Sequence, residues 1–335
     1  MTPPSLVAAV SEGLMTEFFA PDDRARLEAA AELLGGSFLR VDALADVPDT
    51  SRARVVVTSW GAAPFTAELL DALPALGLVA HTGASVRALV TDEVFDRDVL
   101  VTQAGTGMAR SVAEVSLAFT LALLHRVPRM HNALRDGSAA WHRPESAGVQ
   151  HEILGAPIAV VGASRTGRAY LELIGALGAE PLLVDPTLGA QEAAALGAEL
   201  VGLDEALTRA RIVALHAPSL PVTHRMLGAR ELALMPDGAG LVNTARSWLV
   251  DERALLRELE TGRIDAAIDV FDEEPLPAGS PLRRLPNVLL TPHRAAGTWE
   301  GRLRQGRIVA DEIEAFARRV PLRHTVSREP LAVLA

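Results

Sequence analysis

Three segments in the second half of the chain carry side chains able to bind a small carboxylate and move a proton beside it. They are LVNTARSWLVDE with Arg246, AAIDVFDEEPLP with Glu274 and NVLLTPHRAAGT with His293. Arg246 offers a planar, permanently charged fork that suits a carboxylate. An imidazole such as His293 can give a proton to a developing alkoxide and recover it in reverse. A carboxylate such as Glu274 fixes the imidazole's tautomer and stabilises its cation. The set suits hydride transfer to a 2-keto acid.

Taken singly, each residue has a plainer reading. Arg246 could be a surface ion-pair residue. Glu274 sits in an acidic run with Asp272 and Glu273. His293 could be a satisfied histidine near a turn. Each segment, however, follows an apolar run that reads as a strand. All three then lie at strand carboxyl ends, the edge at which open α/β sheets bind ligands. Together, and in order behind a dinucleotide turn, they outweigh the plainer readings.

That turn lies in PIAVVGASRTGRAYLELIGALGAEPLLVDP, beginning at Pro157. A strand ends at Val161, a glycine turn follows, then a helix, then a second strand ending at Asp185. An acid about 20 residues beyond a glycine turn is the dinucleotide layout. Gly162 permits the sharp turn and Gly167 lets the helix approach the sheet. Ser164, Arg165 and Thr166 lie between them, where a pyrophosphate would meet the helix N–H groups. Ser164 replaces the middle glycine; its hydroxyl could donate to phosphate. Asp185 would accept from ribose hydroxyls and repel a 2′-phosphate, favouring NAD over NADP.

Composition excludes several other chemistries. All 32 basic residues are Arg, so there is no lysine for a Schiff base or a P-loop. Cysteine is also absent, which excludes thiol catalysis, disulfides and cysteine zinc sites. The net charge is −10 and no stretch gathers a basic face, so no nucleic acid partner is expected. No metal site is expected. The N-terminus lacks a basic leader with an apolar core, and Val112–Leu124 reads as too short to span a bilayer and carries Glu114. The expectation is a cytoplasmic protein without a membrane partner.

The elements that must position these residues come in two series. Apolar runs at Leu6–Val10, Arg54–Ser59, Gly77–His81 and Val99–Gln103 alternate with helical stretches such as Asp22–Leu34 and Thr66–Leu73. A second series runs through Pro157–Val161, Pro181–Asp185, Ile212–His216, Gly240–Thr244, Ala266–Phe271 and Val288–Thr291. Alternation of this kind predicts α/β folds with doubly wound parallel sheets. Ser111–His125 reads as a long helix, Arg135–Gln150 as an irregular polar stretch and Trp299–Arg319 as a last helix. A chain of 335 residues accommodates two such domains.

The second half resembles the D-isomer-specific 2-hydroxyacid dehydrogenase family. NTAR, DVF…EPLP and TPH…G carry the resemblance in order and spacing, which extends most clearly over Leu78–His293. It implies Arg246 as carboxylate binder, Glu274 as partner of the histidine and His293 as acid/base. It places Asp269 toward the nicotinamide and the loop of His216, Pro218 and Thr223 beside the adenosine. Thr244, Ala245, Arg246, His293 and Ala296 complete the implied NAD contacts. HTGAS at His81–Ser85 is implied as the substrate loop, with N–H groups of Gly83, Ala84 and Ser85 on the carboxylate. The residues agree, since a small-residue turn after a strand lets amides converge on an anion. His216 is the competing acid/base, with the weaker claim because no EPLP-type partner accompanies it.

Three positions depart from the family pattern: Ser85 where Gly is common, Arg87 and Trp248. Arg87 is a candidate for an anionic substrate tail, though a surface role is the preferred reading; Trp248 is expected to pack behind its loop. The expected architecture is a Rossmann NAD-binding domain, residues 107–298, inserted into a flavodoxin-like substrate domain of residues 1–106 and 299–335. Two crossings would make a hinge, with the cleft between the domains and closure excluding water. Ser111–His125 and the Trp141 region resemble the family's dimer surface, so a homodimer is expected. No segment resembles the regulatory domain of many phosphoglycerate dehydrogenases. The leading expectation is an NAD-dependent oxidoreductase acting on a D-2-hydroxy or 2-keto acid. The alternative is an NAD(H)-sensing, corepressor-like binding protein on the same fold. A hydrolase using bound NAD is disfavoured by the missing lysine.

Overall fold

The computed structural model describes residues 3–135, 137 and 148–328. The chain divides into two units, Met1–Met108 with Gly297–Ala335, and Ala109–Ala296. Trp141 lies outside the described residues.

In the first unit, Pro4–Ala9 (β1), Ser37–Val41 (β2), Val55–Thr58 (β3), Leu78–His81 (β4) and Leu100–Gln103 (β5) form one sheet. Its order is β2-β1-β3-β4-β5 and every pairing is parallel. β3 and β4 are buried throughout, so they read as continuous apolar runs rather than as alternation. One face, with Leu6, Ala8, Val55, Val57, Leu78 and Ala80, meets Phe18, Leu27 and Ile313 of three helices. The other, with Val7, Val56, Val79 and Val101, meets Phe65, Leu70 and Val94. β2 lies outside the strands expected from sequence. It is an edge strand with every residue half-buried, so its pattern carries no strong period.

The second unit holds Pro157–Val161 (β6), Glu180–Val184 (β7), Glu199–Leu200 (β8), Ile212–Leu215 (β9), Gly240–Asn243 (β10), Asp265–Ile268 (β11) and Val288–Leu290 (β12). The order is β12-β11-β10-β9-β6-β7-β8, again all parallel. β8, only 2 residues long, also escaped the sequence reading. Several strands end earlier than expected, which releases Asp185, His216, Thr244, Asp269 and Thr291 into the loops beyond them.

The helical stretch Gly105–Leu124 spans 20 residues and is apolar enough to cross a membrane by length and composition, a correction to the reading of Val112–Leu124 as too short. In the second unit it buries Ala113, Phe119, Leu123 and Leu124 in the core, so its apolarity serves packing.

Beyond it, the helix Val127–Arg135 is tied to the sheet by charge. Asp265, 1% exposed at the start of β11, accepts from Arg126 Nη1 at 2.6 Å and Arg129 Nη2 at 2.5 Å. Removing one partner of such a buried set leaves uncompensated charge. Asp265→Ala is therefore expected to cost about 3–5 kcal/mol in urea unfolding; a loss well under ~1 kcal/mol would show the network to be idle.

Candidate active site

The second sheet reverses its strand order between β6 and β9. In doubly wound folds the dinucleotide crevice lies beyond the carboxyl ends of the strands at such a point. Gly162, leaving β6, has φ +102°, and a Cβ there would lie 2.6 Å from the Ala217 backbone nitrogen. Gly167, in the first turn of the helix Arg165–Ala176, would place a Cβ 2.0 Å from the Gly162 carbonyl oxygen. Only glycine permits this approach, which aims the helix N-terminus at the crevice.

Ser164 is the N-cap of that helix, its Oγ accepting from Gly167 N at 3.2 Å. A hydroxyl that accepts still has a proton to donate, so capping is compatible with a phosphate contact. Arg165 is exposed and Thr166 half-buried in the same turn. Asp185 braces the turn: Oδ2 accepts from Ala163 N at 2.7 Å, and Oδ1 from Thr187 N at 2.9 Å and Thr187 Oγ1 at 2.6 Å. Burial opposes its charge, but these bonds and Arg168 outweigh burial and hold the carboxyl below its usual range. These residues fit a nicotinamide dinucleotide.

The two candidate acid/base histidines differ sharply. His216 is 4% exposed, its ring centroid is 4.9 Å from that of Tyr170, and its Nε2 has no partner among the described residues. Burial pushes its pKa down to about 3, so at neutral pH it is the neutral imidazole and not an imidazolium acid. The loop beyond it is held by Thr223, whose Oγ1 donates to Pro218 O at 2.6 Å and accepts from Leu220 N at 2.8 Å. Trp248 packs on this loop, its indole N–H donating to Leu220 O at 3.0 Å and its ring 4.1 Å from His224.

His293 instead sits half-exposed with Nδ1 2.8 Å from Glu274 Oε2. The other oxygen of Glu274 accepts from Phe271 N at 3.0 Å. Burial opposes ionisation of Glu274, but the bonds from His293 and Phe271, with the charges of His293 and Arg246, keep its carboxyl below the ordinary range. Arg246 is half-buried and its Nη1 donates to Ala245 O at 2.6 Å. Burial lowers its pKa and the charge of Glu274 raises it; a guanidinium stays protonated regardless.

Two positioning residues had no role of this kind in the sequence reading. Asn243 folds the NTAR turn: its Oδ1 accepts from Ala245 N at 3.1 Å and its Nδ2 donates to Arg246 O at 2.9 Å. Asp269, 1% exposed, clamps the loop that bears His293. Its Oδ1 accepts from the Thr291 hydroxyl and from Arg294 N at 2.9 Å, and its Oδ2 from Ala295 N at 2.9 Å. His293 holds φ +50°, a left-handed conformation that a non-glycine residue keeps only when its surroundings impose it. Thr244 is buried with Oγ1 2.7 Å from Ser116 Oγ, and Ala296 is half-buried.

In the first unit the His81–Ser85 turn leaves β4. His81 Nδ1 lies 3.0 Å from Thr58 Oγ1, and burial lowers its pKa to about 4. Gly83 is buried, Ala84 half-buried and Ser85 exposed. Among the described residues, the N–H groups of these three donate to no protein acceptor.

Residues 117–295 match the model of the D-isomer specific 2-hydroxyacid dehydrogenase, NAD binding domain. The chain belongs to the D-isomer specific 2-hydroxyacid dehydrogenase family. It is 35% identical to D-3-phosphoglycerate dehydrogenase of Mycobacterium tuberculosis over 311 residues, 92% of this chain and 54% of that protein. It thus spans about half the length of the phosphoglycerate dehydrogenases it matches. It is 33% identical to glyoxylate reductase of Korarchaeum cryptofilum over 258 residues, 76% of this chain and 77% of that protein. Its fold matches a phosphoglycerate oxidoreductase from Rhizobium etli with TM-score 0.76 and 27% identity, covering 96% of this chain and 98% of the other. The second unit is thereby the family's nicotinamide-binding domain.

The buried histidines give a pH signature. Both are neutral when folded and free to protonate when unfolded, with pKa depressed from 6.5 to about 4 for His81 and about 3 for His216. The stability this neutrality allows is complete above pH ~6.5 and lost as pH falls from there toward the folded values. Each contributes a slope of up to about 1.4 kcal/mol per pH unit. Unfolding free energies between pH 7 and 4.5 are expected to flatten in His81→Gln and in His216→Gln; unchanged slopes would contradict the burial argument.

Proposed function

We propose that the chain reduces 2-keto acids to D-2-hydroxy acids with NADH and runs the reverse oxidation with NAD. The observation that carries this reading is the His293 Nδ1–Glu274 Oε2 pair at 2.8 Å, with Arg246 charged nearby. When bound, the nicotinamide supplies a hydride to the carbonyl carbon or takes it back. Arg246 pairs with the substrate carboxylate. Glu274 accepts from Nδ1, which leaves Nε2 to face the carbonyl oxygen. His293 gives its proton as negative charge develops on that oxygen, and the imidazole returns to the neutral form. In oxidation the same nitrogen takes the hydroxyl proton. Gly162, Ser164 and Gly167 shape the pyrophosphate site, and the anionic Asp185 favours NADH over NADPH. The named relatives are dehydrogenases and a reductase, so nothing favours a purely sensing role.

The test is NADH oxidation with glyoxylate, hydroxypyruvate, pyruvate, 2-ketoglutarate and a bulky aromatic keto acid. His293→Ala is expected to lower kcat by about 10²–10⁴-fold while NADH affinity, measured by calorimetry, is retained. Near-normal turnover in that variant would overturn the assignment. Asp185→Ser is expected to raise kcat/KM for NADPH relative to NADH; an unchanged ratio would remove Asp185 from cofactor choice.

A further inference from the structure

We propose that the second unit carries a binding site for a small organic phosphate, at the edge of its sheet opposite the dinucleotide crevice. A cavity of about 710 Å³ lies there, within the ~300–1,000 Å³ of small-molecule sites. Pro157, Arg211, Ile212 and Ala239 line it, at or just before the first residues of β6, β9 and β10. Gly162 and His216 follow the other ends of β6 and β9, strands of 5 and 4 residues. The cavity is thus about 13–17 Å from the crevice, and every residue lining it belongs to the second unit.

Cations outnumber carboxylates in one part of this cavity. Arg126, Arg129 and Arg211 line it together with His151. Arg126 and Arg129 share a single carboxylate, Asp265, at 2.6 and 2.5 Å. Arg211 meets no carboxylate among the described residues; its Nη1 lies 2.9 Å from His151 Nε2. A guanidinium cannot accept, so it donates to Nε2, which leaves the imidazole proton on Nδ1. Burial, then the charges of Arg211 and Arg126, hold His151 below its ordinary pKa, the mark of positive potential at the ring. Arg209 and Arg263 also line the cavity but are neutralised, Arg209 by Glu199 and Glu205 and Arg263 by Glu258. Asp237, the acid in the lining, lies 3.5 Å from Arg263 Nη1.

Three guanidiniums facing one carboxylate leave a surplus that matches a dianion. Arg126 is fixed in advance, its Nη2 donating to Gly238 O at 2.6 Å and its Nε to Val149 O at 3.2 Å. Such guanidiniums suit a phosphoryl group, whose oxygens accept paired, charge-assisted hydrogen bonds. A single carboxylate would answer only half of the surplus. Val149, Pro157, Ile212 and Pro236 give the same cavity an apolar wall. A bare ion would leave that wall uncovered, whereas a phosphate ester with an apolar body covers it as well.

The test is calorimetry on the NADH-saturated protein, whose crevice is occupied, with phenyl phosphate, inorganic phosphate and benzoate as probes. Phenyl phosphate is expected to bind most tightly of the three. Arg211→Gln, at an exposed position, is expected to weaken it about tenfold or more while NADH affinity stays unchanged. His151→Gln is expected to weaken it less. No binding of phenyl phosphate by the wild type, or equal affinity in the wild type and both variants, overturns the inference. Benzoate binding as tightly as phenyl phosphate overturns the assignment to a phosphate. If the wild type binds no phenyl phosphate and Arg211→Gln loses self-association in sedimentation, the face meets a second copy of the chain instead.

Discussion

One buried carboxylate holds the chemistry of the second unit in place. Asp269 leaves β11 and accepts from the Thr291 hydroxyl and from the N–H groups of Arg294 and Ala295, on either side of His293. A carboxylate at 1% exposure is tolerable only with its lone pairs occupied, so the demand for donors fixes the loop after β12. That loop holds His293 at φ +50°, a conformation costing about 1–2 kcal/mol for a side-chain-bearing residue. Glu274 comes from the segment after the neighbouring strand, β11. The distance between acid and imidazole is therefore set by two adjacent parallel strands and one clamp.

The same unit shows how environment divides one residue type into two roles. His216 is buried, its ring tilted against Tyr170, with no carboxylate partner among the described residues, so burial keeps it neutral. Its Cβ lies 3.2 Å from where a Gly167 side chain would begin, so it belongs to the packing that lets the helix enter beside β6. His293 is half-exposed and bonded to Glu274. The first is suited to filling space at the strand-order reversal, the second to exchanging protons with a ligand.

What the sequence disclosed follows from what physical chemistry writes into residue types. Buried parallel strands must be apolar throughout, so β3, β4, β6 and β9 stood out as runs. Edge strands β2 and β8 have little burial to enforce a pattern and did not. Gly162 and Gly167 were legible because backbone crowding admits no other residue there; Ser164 was legible only as a short residue standing in for the middle glycine, and its capping of the helix is seen in the structure. Arg246, Glu274 and His293 stood out through their shared placement after strands. The clamp by Asp269 and the turn closure by Asn243 did not, since each depends on hydrogen bonds to loop atoms that no spacing rule specifies.

The most direct test of this arrangement is a crystal structure with NADH and oxamate, a 2-keto acid mimic that is not reduced. The account predicts His293 Nε2 within about 3.2 Å of the oxamate carbonyl oxygen, Nδ1 still on Glu274 and the Arg246 guanidinium on the carboxylate. A complex in which His293 turns away, or in which another side chain occupies the carbonyl oxygen, would contradict it.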